Sequence, residues 1–212
     1  SAAPVAVLFA FLPAAAQDFS REMAPLIARV ETPPFAVPSN GKFLLIHELY
    51  LTSASSKNMT FKRVEIVGLG QPHTLKGEDL EKEFVEGMPH KSVLPGGQST
   101  ALLLRMEVDK PPRAISHRIM LQLEGVAETL TVELPPVAVT PVALKISPPL
   151  RGERWVVMNG PGGRSHHSGG LMPFRGRFLV PQRYAIDFVR VNEEGELHQG
   201  EPKQNRSYVC YG

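Results

Sequence analysis

Cysteine, aromatic residues and excess charge are all scarce in this sequence. Cys210 is the one cysteine among 212 residues, so no disulfide can form within the chain. Aromatic residues make up 7% of the chain, and its formal net charge is +2. A surface that stacks bases needs more aromatic side chains, and a nucleic-acid footprint needs a larger basic excess. The composition therefore predicts no nucleic-acid partner.

Long apolar runs are also lacking. The run at residues 4–12 is shorter than the ~20 residues that a membrane-spanning helix needs, so no stable membrane span is predicted. Residues 1–16 carry no charge, and they end in the small residues Ala14, Ala15 and Ala16. This pattern predicts a partial secretory signal peptide over residues 1–16, and hence a secreted or periplasmic protein. A plain apolar strand at the N-terminus is the alternative.

Proline and glycine are abundant, at 20 and 18 residues. With a hydrophobic content of 42%, they favour short strands joined by turns. One helix is predicted over residues 78–86, where Leu80 and Phe84 share a face. The predicted strands are apolar-rich or alternating segments at residues 42–52, 59–67, 100–108, 117–123 and 130–139.

This series predicts a mostly β protein in which residues 17–147 form an immunoglobulin-like antiparallel sandwich. About six or seven short strands over roughly 110 residues are typical of that architecture. The pairs Pro135-Pro136 and Pro148-Pro149 interrupt strand pairing, and we place the end of the module near Ser147. The predicted core residues are Leu45, Leu49, Val64, Ile66, Leu102, Leu104, Ile119, Leu121 and Val132.

The remaining residues, 148–212, are called the tail below. They contain little apolar mass, so we expect them to pack against the sandwich or to be loosely ordered. Residues 184–191 predict a strand in which alternation puts Tyr184 and Phe188 on the face opposite Asp187. A carboxylate in so apolar a strand either faces solvent or is held by a partner, because burying it alone is costly.

Three segments of the tail carry a further signal. They are Arg154-Trp155-Val156-Val157-Met158-Asn159-Gly160, Ser165-His166-His167 and Arg183-Tyr184-Ala185-Ile186-Asp187-Phe188. Their order resembles the entry into the catalytic domain of lysostaphin-type zinc metallopeptidases, in the secreted members that carry an extra β domain. The resemblance implies that the tail is the incomplete start of a β-rich peptidase domain with zinc as cofactor. It also implies that the substrate is a bacterial cell-wall peptide or protein.

In that family, a His-x-x-x-Asp pair and the last His of a later His-x-His hold the zinc, which leaves one position open for water. Asp187 matches the aspartate, whereas Arg183 stands where the first histidine is expected. A permanently charged guanidinium is a poor metal ligand. The resemblance implies that the first ligand comes instead from the glycine-flanked loop that carries His166 and His167.

Of these two histidines, His167 is slightly favoured, and a solvated loop pair is the alternative. We therefore expect a side-chain nitrogen of His167 or His166 near the Asp187 carboxylate, with both able to reach one ion at ~2.0–2.2 Å. Arg183 would then bind substrate, or orient a carboxylate through paired hydrogen bonds.

The later His-x-His does not occur in the sequence. By ligand counting, the chain as given is expected to be inactive, and to be an enzyme only if further sequence follows Gly212. Two other interpretations stay open. One is a non-enzymatic secreted β module that binds protein or glycan, and the other is a degenerate peptidase fold kept as a scaffold.

Overall fold

The computed structural model describes residues 24–85, 92–141, 147, 149–160, 165, 167 and 170–209. The predicted signal peptide and His166 lie outside these residues. Within them the chain is mostly β with one α-helix of five residues. No helix in this described part is long and apolar enough to cross a membrane.

Two sheets, antiparallel but for one strand pair, form the sandwich in the described part of the chain. The first sheet contains β1 (Leu26–Arg29), β2 (Phe35–Ser39), β3 (Lys42–Ser53), β7 (Ser99–Val108) and β11 (Thr140–Pro141). The second contains β4 (Met59–Val67), β5 (His73–Leu75), β6 (Val93–Leu94), β8 (Ala114–Leu123), β9 (Thr129–Glu133) and β10 (Val137–Ala138). The helix α1 (Gly77–Glu81) lies between β5 and β6 in the chain.

Each sheet is organised around one long strand. In the first sheet, β3 pairs along one edge with β7 and along the other with β2 and then β1. The short strand β11 pairs with β2 and is parallel to it. In the second sheet, β8 pairs along one edge with β4 and along the other with β10 and β9.

The core lies between the two sheets, which both contribute alternate side chains. In β8, Ile115, Ile119 and Leu121 are buried on one face and the residues beside them are partly exposed, as the period of a strand requires. The predicted antiparallel sandwich is therefore confirmed. Val132 is partly buried against the core, and the other eight predicted core residues are fully buried: Leu45, Leu49, Val64, Ile66, Leu102, Leu104, Ile119 and Leu121.

Two predicted elements of the sandwich differ from the structure. The helix ends at Glu81, and Phe84 lies in an isolated β-bridge with Leu102. Leu80 and Phe84 are both buried nevertheless, so this apolar pair serves the core without a longer helix. The strand predicted over residues 130–139 is interrupted between β9 and β10, because Pro135 and Pro136 cannot donate to a continuous ladder.

The tail contains two short antiparallel strand pairs within its described residues, and one of them is a hairpin. Their strands are β12 (Trp155–Asn159) with β15 (Asp187–Arg190), and β13 (Met172–Phe174) with β14 (Arg177–Leu179). The strand predicted from Tyr184 onward begins at Asp187 instead. Tyr184 lies in a turn. The amide of Arg183 donates to Val180 O, and that of Ala185 donates to Gln182 O.

Two histidines meet inside the sandwich. His47 of β3 and His117 of β8 are both buried, and their Nε2 atoms lie 2.8 Å apart across the two sheets. One ring must donate and the other must accept, so the accepting ring is uncharged in this arrangement. Burial lowers the pKa of His117 to about 4, and burial with the adjacent His117 lowers that of His47 well below its ordinary value.

We predict that this histidine pair makes the sandwich sensitive to acid. An unfolded imidazole titrates near pH 6.5, so below that pH the unfolded state binds more protons than the folded one. The stabilisation is complete above pH 6.5 and is lost as the pH falls toward 4. For His117 alone, the loss is roughly 3 kcal/mol at about 1.4 kcal/mol per pKa unit. Urea unfolding at pH 7.0, 6.0, 5.0 and 4.0 measures this loss.

The double variant His47→Leu/His117→Leu should show a much weaker dependence over this range. His73, an exposed residue of β5, supplies the matched control, because His73→Leu should leave the dependence unchanged. Burial raises the pKa of Glu83 to about 6, which gives an opposing trend, but that trend is common to all three proteins. An equally steep decline in the double variant would contradict the prediction.

Candidate functional site

The tail packs on the outer face of the first sheet, the face turned away from the core. Glu48 and Tyr50 of β3 point to this face, and each is only 6% exposed. Val180 is buried against Tyr50, and Phe178 packs beside it, partly buried. Of the two outcomes expected for the tail, packing against the sandwich is the one observed.

Polar contacts accompany this apolar packing. The amide of Val180 donates to the Tyr50 hydroxyl oxygen at 3.3 Å. The hydroxyl of Tyr184 donates to Glu48 Oε1 at 2.6 Å. Burial, together with Glu48, raises the pKa of Tyr50 to about 12 and that of Tyr184 beyond its ordinary value. Both phenols therefore keep their protons at neutral pH, and Tyr184 can act as a donor.

Among the described residues of the predicted site, Arg183 is the least exposed. It is 5% exposed, and its Nη1 lies 3.3 Å from Glu48 Oε1. The same Nη1 donates to His47 O and Nη2 donates to Leu104 O, each at 3.2 Å. Arg183 thus forms an ion pair with a buried carboxylate of the sandwich through a single Nη1–Oε1 contact. Its two expected roles, binding substrate and orienting a carboxylate through paired hydrogen bonds, stay predictions.

A β-bulge sets the polar end of the β12–β15 pair. Val157 lies opposite Phe188, and Asn159 lies opposite Asp187, so Met158 is the extra residue. A bulge re-aims the side chains that follow it. Here Asn159 Nδ2 donates to Asp187 Oδ2 at 2.9 Å.

His167, which lies between β12 and β13 in the chain, completes this cluster. Its Nε2 lies 2.9 Å from Asp187 Oδ2, which places the predicted histidine beside the predicted carboxylate. The His167 side chain is 8% exposed whereas that of Asp187 is 48% exposed, so the pair lies at the edge of the protein and solvent reaches its carboxylate. The His167 amide donates to Ser165 Oγ at 3.2 Å, which ties the loop backbone locally.

The hydrogen bonds of His167 define which ring nitrogen carries hydrogen. Nδ1 lies 3.1 Å from the carbonyl oxygen of Ala185, and a carbonyl oxygen can only accept, so Nδ1 must donate. In the neutral ring, Nε2 then carries no hydrogen, and its lone pair faces Asp187 Oδ2. Two acceptors 2.9 Å apart need either a shared hydrogen, on Nε2 or on the carboxyl group, or a metal ion between them.

The cluster is small. Among the residues that the structure describes, no group of three His, Cys, Asp or Glu side chains is close enough together to hold a metal ion. The sequence patterns did not single out Glu48, and they included Asn159 only as a member of the segment 154–160, without a role of its own. Glu48 resembles any acidic residue in a strand.

No family model matches the sequence, and no curated protein matches it. One solved structure that the chain resembles is named "X-ray structure of Northeast Structural Genomics Consortium target SoR45". It is 12% identical with a TM-score of 0.40, and the match covers 61% of the present chain and 97% of the other. A likeness at this level carries no argument about this protein.

We predict that the contact between Val180 and the outer face holds the tail in place. Val180 is 7% exposed and Val157 is 55% exposed. The same valine-to-alanine change therefore removes buried contacts at position 180 and few at position 157. Val180→Ala should lower the free energy of unfolding of the tail by about 1–2 kcal/mol. Val157→Ala should change it by less than ~0.5 kcal/mol. Trp155, the one tryptophan, lies in β12, and its fluorescence in urea reports the tail. Equal effects would contradict the prediction.

Proposed function

We propose that the tail is the N-terminal portion of a zinc metalloendopeptidase domain similar to the lysostaphin-type peptidases, carried behind a β-sandwich. The observation that carries the proposal is the pairing of His167 Nε2 with Asp187 Oδ2 at 2.9 Å. The sequence resemblance assigns both residues as zinc ligands, and it implies a bacterial cell-wall peptide or protein as the substrate class.

The donor set suits zinc. Imidazole nitrogen and carboxylate oxygen are both common zinc ligands. A ligating histidine typically donates its other ring hydrogen to a carbonyl or carboxylate, and Nδ1 of His167 does so toward Ala185 O. Asn159 contributes in the same way, because its amide hydrogen bond fixes the orientation of the Asp187 carboxylate.

The residues of this cluster would have separate tasks in such a site. His167 and Asp187 would hold the ion, while Ala185 O and Asn159 would orient them. The half-exposed Asp187 carboxylate leaves the site open to a substrate from solvent. Bound zinc in a hydrolase polarises the scissile carbonyl and lowers the pKa of a bound water.

Two ligands are fewer than a catalytic zinc site requires. The His-x-His that would supply the third ligand and a general base is absent from the sequence. We therefore propose weak zinc binding by this chain, without turnover.

The same contact also favours a second function. A proton on Nε2 would turn His167 and Asp187 into an ordinary ion pair, and the tail would then be a degenerate peptidase fold kept as a scaffold. The burial of Arg183 against Glu48 favours this alternative, because it gives the tail a structural role independent of any metal.

Zinc titration distinguishes the two functions. Isothermal titration at pH 7.5 should show one weak site in the unmodified chain. Asp187→Ala and His167→Ala should each lower the affinity at least about tenfold, since removing even an outer-shell partner of a ligand costs 10–100-fold. His73→Ala, at an exposed histidine of β5, serves as control and should bind as the unmodified chain does. Equal affinity in all four proteins would leave the scaffold function as the better account.

Asn159→Asp supplies a gain-of-function test. Because Asn159 Nδ2 lies 2.9 Å from Asp187 Oδ2, an aspartate there would add a carboxylate to the two proposed ligands. We expect zinc affinity to rise at least about tenfold with this third protein ligand. Asn159→Ala removes the amide without adding a ligand, so its affinity should fall or stay level. A rise in both variants, or in neither, would count against a metal site at this position.

A further inference from the structure

The turn between β14 and β15 joins two places with different chemistry. On one side, Arg183 is buried on the outer face of the first sheet, and the partly exposed Tyr184 reaches Glu48 there. On the other side, the carbonyl of Ala185 accepts the Nδ1 hydrogen of His167, and β15 then begins with Asp187. Any shift of the turn on the sheet would move the carbonyl that sets the orientation of the imidazole.

The turn itself is short and internally bonded. The Arg183 amide donates to Val180 O at 3.2 Å, and the Ala185 amide donates to Gln182 O at 2.9 Å. These backbone bonds leave little freedom between residue 183 and residue 185. The position of Ala185 O therefore follows the position of Arg183.

The guanidinium of Arg183 is held by three acceptors at once. Two are the carbonyl oxygens of His47 and Leu104, which lie opposite each other on β3 and β7. The third is Glu48 Oε1. A planar fork with several donors can meet acceptors on two strands and a carboxylate, whereas a lysine ammonium is a single point on a flexible stem.

Glu48 in its place depends on Arg183 and Tyr184. Its side chain is 7% exposed, and Oε1 receives both the Arg183 guanidinium and the Tyr184 hydroxyl. A buried carboxylate without partners is strongly disfavoured, so Glu48 favours conformations that keep residues 183 and 184 in place. The ion pair thus works as an anchor for the turn.

We infer that Glu48 and Arg183 are positioning residues for the His167–Asp187 pair, which they never touch in the described contacts. The effect on zinc binding rests on the proposed function, whereas the effect on the orientation of His167 does not. It predicts that conservative changes in the anchor weaken the site although both proposed ligands are intact.

The test uses the full 212-residue chain with Glu48→Gln and Arg183→Lys. Nitrogen-15 NMR of the imidazole rings reports the tautomer of His167, and zinc titration reports the affinity. In the unmodified chain, His167 should carry its hydrogen on Nδ1. In both variants, the NMR spectrum should no longer show a single His167 tautomer with its hydrogen on Nδ1. Both should also bind zinc at least about tenfold more weakly, the usual effect of disturbing a group that orients a metal ligand.

Arg177→Lys is the matched control. Arg177 also links the tail to the sandwich, through Glu31 at 3.5 Å, but it lies outside the turn and its side chain is 64% exposed. It should leave both the His167 signature and the affinity unchanged. If Glu48→Gln or Arg183→Lys fails to fold, Tyr184→Phe removes one hydrogen bond from Glu48 and retains the ion pair. It should give the same changes at roughly threefold, a magnitude typical of one net hydrogen bond.

Failure of this inference and failure of the proposed function have different signatures. An unmodified chain that binds no zinc, with a His167 signature that still depends on Glu48 and Arg183, would overturn the proposed function alone. Zinc binding that requires His167 and Asp187, with affinity and signature unchanged in the anchor variants, would overturn the inference alone.

Discussion

Strand β3 is buried on both faces, and the two faces differ in chemistry. Its inner face contributes leucines to the core between the sheets, while its outer face presents Glu48 and Tyr50 beneath the tail. Buried polar groups are stable only when they have hydrogen-bond partners. Arg183, Tyr184 and the amide of Val180 supply those partners, so the polar residues of the sandwich and the geometry of the tail depend on each other.

The inner half of this arrangement could be predicted from the sequence, because it depends on the local period of a strand. Alternating apolar residues identify the face of β4 and β8 that reaches the core, and Val64, Ile66, Ile119 and Leu121 are buried as expected. The outer half could not be predicted in this way. Glu48 looks like any acid in a strand, and its burial follows from a partner, Arg183, far along the chain.

The tail shows the same division between local and long-range information. Alternation extends the predicted strand back to Tyr184, yet the structure has turns there, because Arg183 and Tyr184 are drawn to acceptors on the first sheet. The proximity of His167 and Asp187 was expected from a family resemblance, and no spacing rule predicts it. The contribution of Asn159 went unrecognised, since it depends on a bulge that only the strand pairing reveals.

Arg183 stands where the resemblance to lysostaphin-type peptidases would put a histidine, and the structure shows what this arginine contacts. A histidine at position 183 would leave the same turn toward β3 and β7, where it would meet Glu48 and backbone carbonyls. An imidazole is too short, and has too few donors, to satisfy all the acceptors that the guanidinium reaches. One residue could not both secure the turn and face Asp187. In this chain the two tasks are divided: Arg183 secures the turn on the sandwich, and His167 reaches the carboxylate from a separate loop.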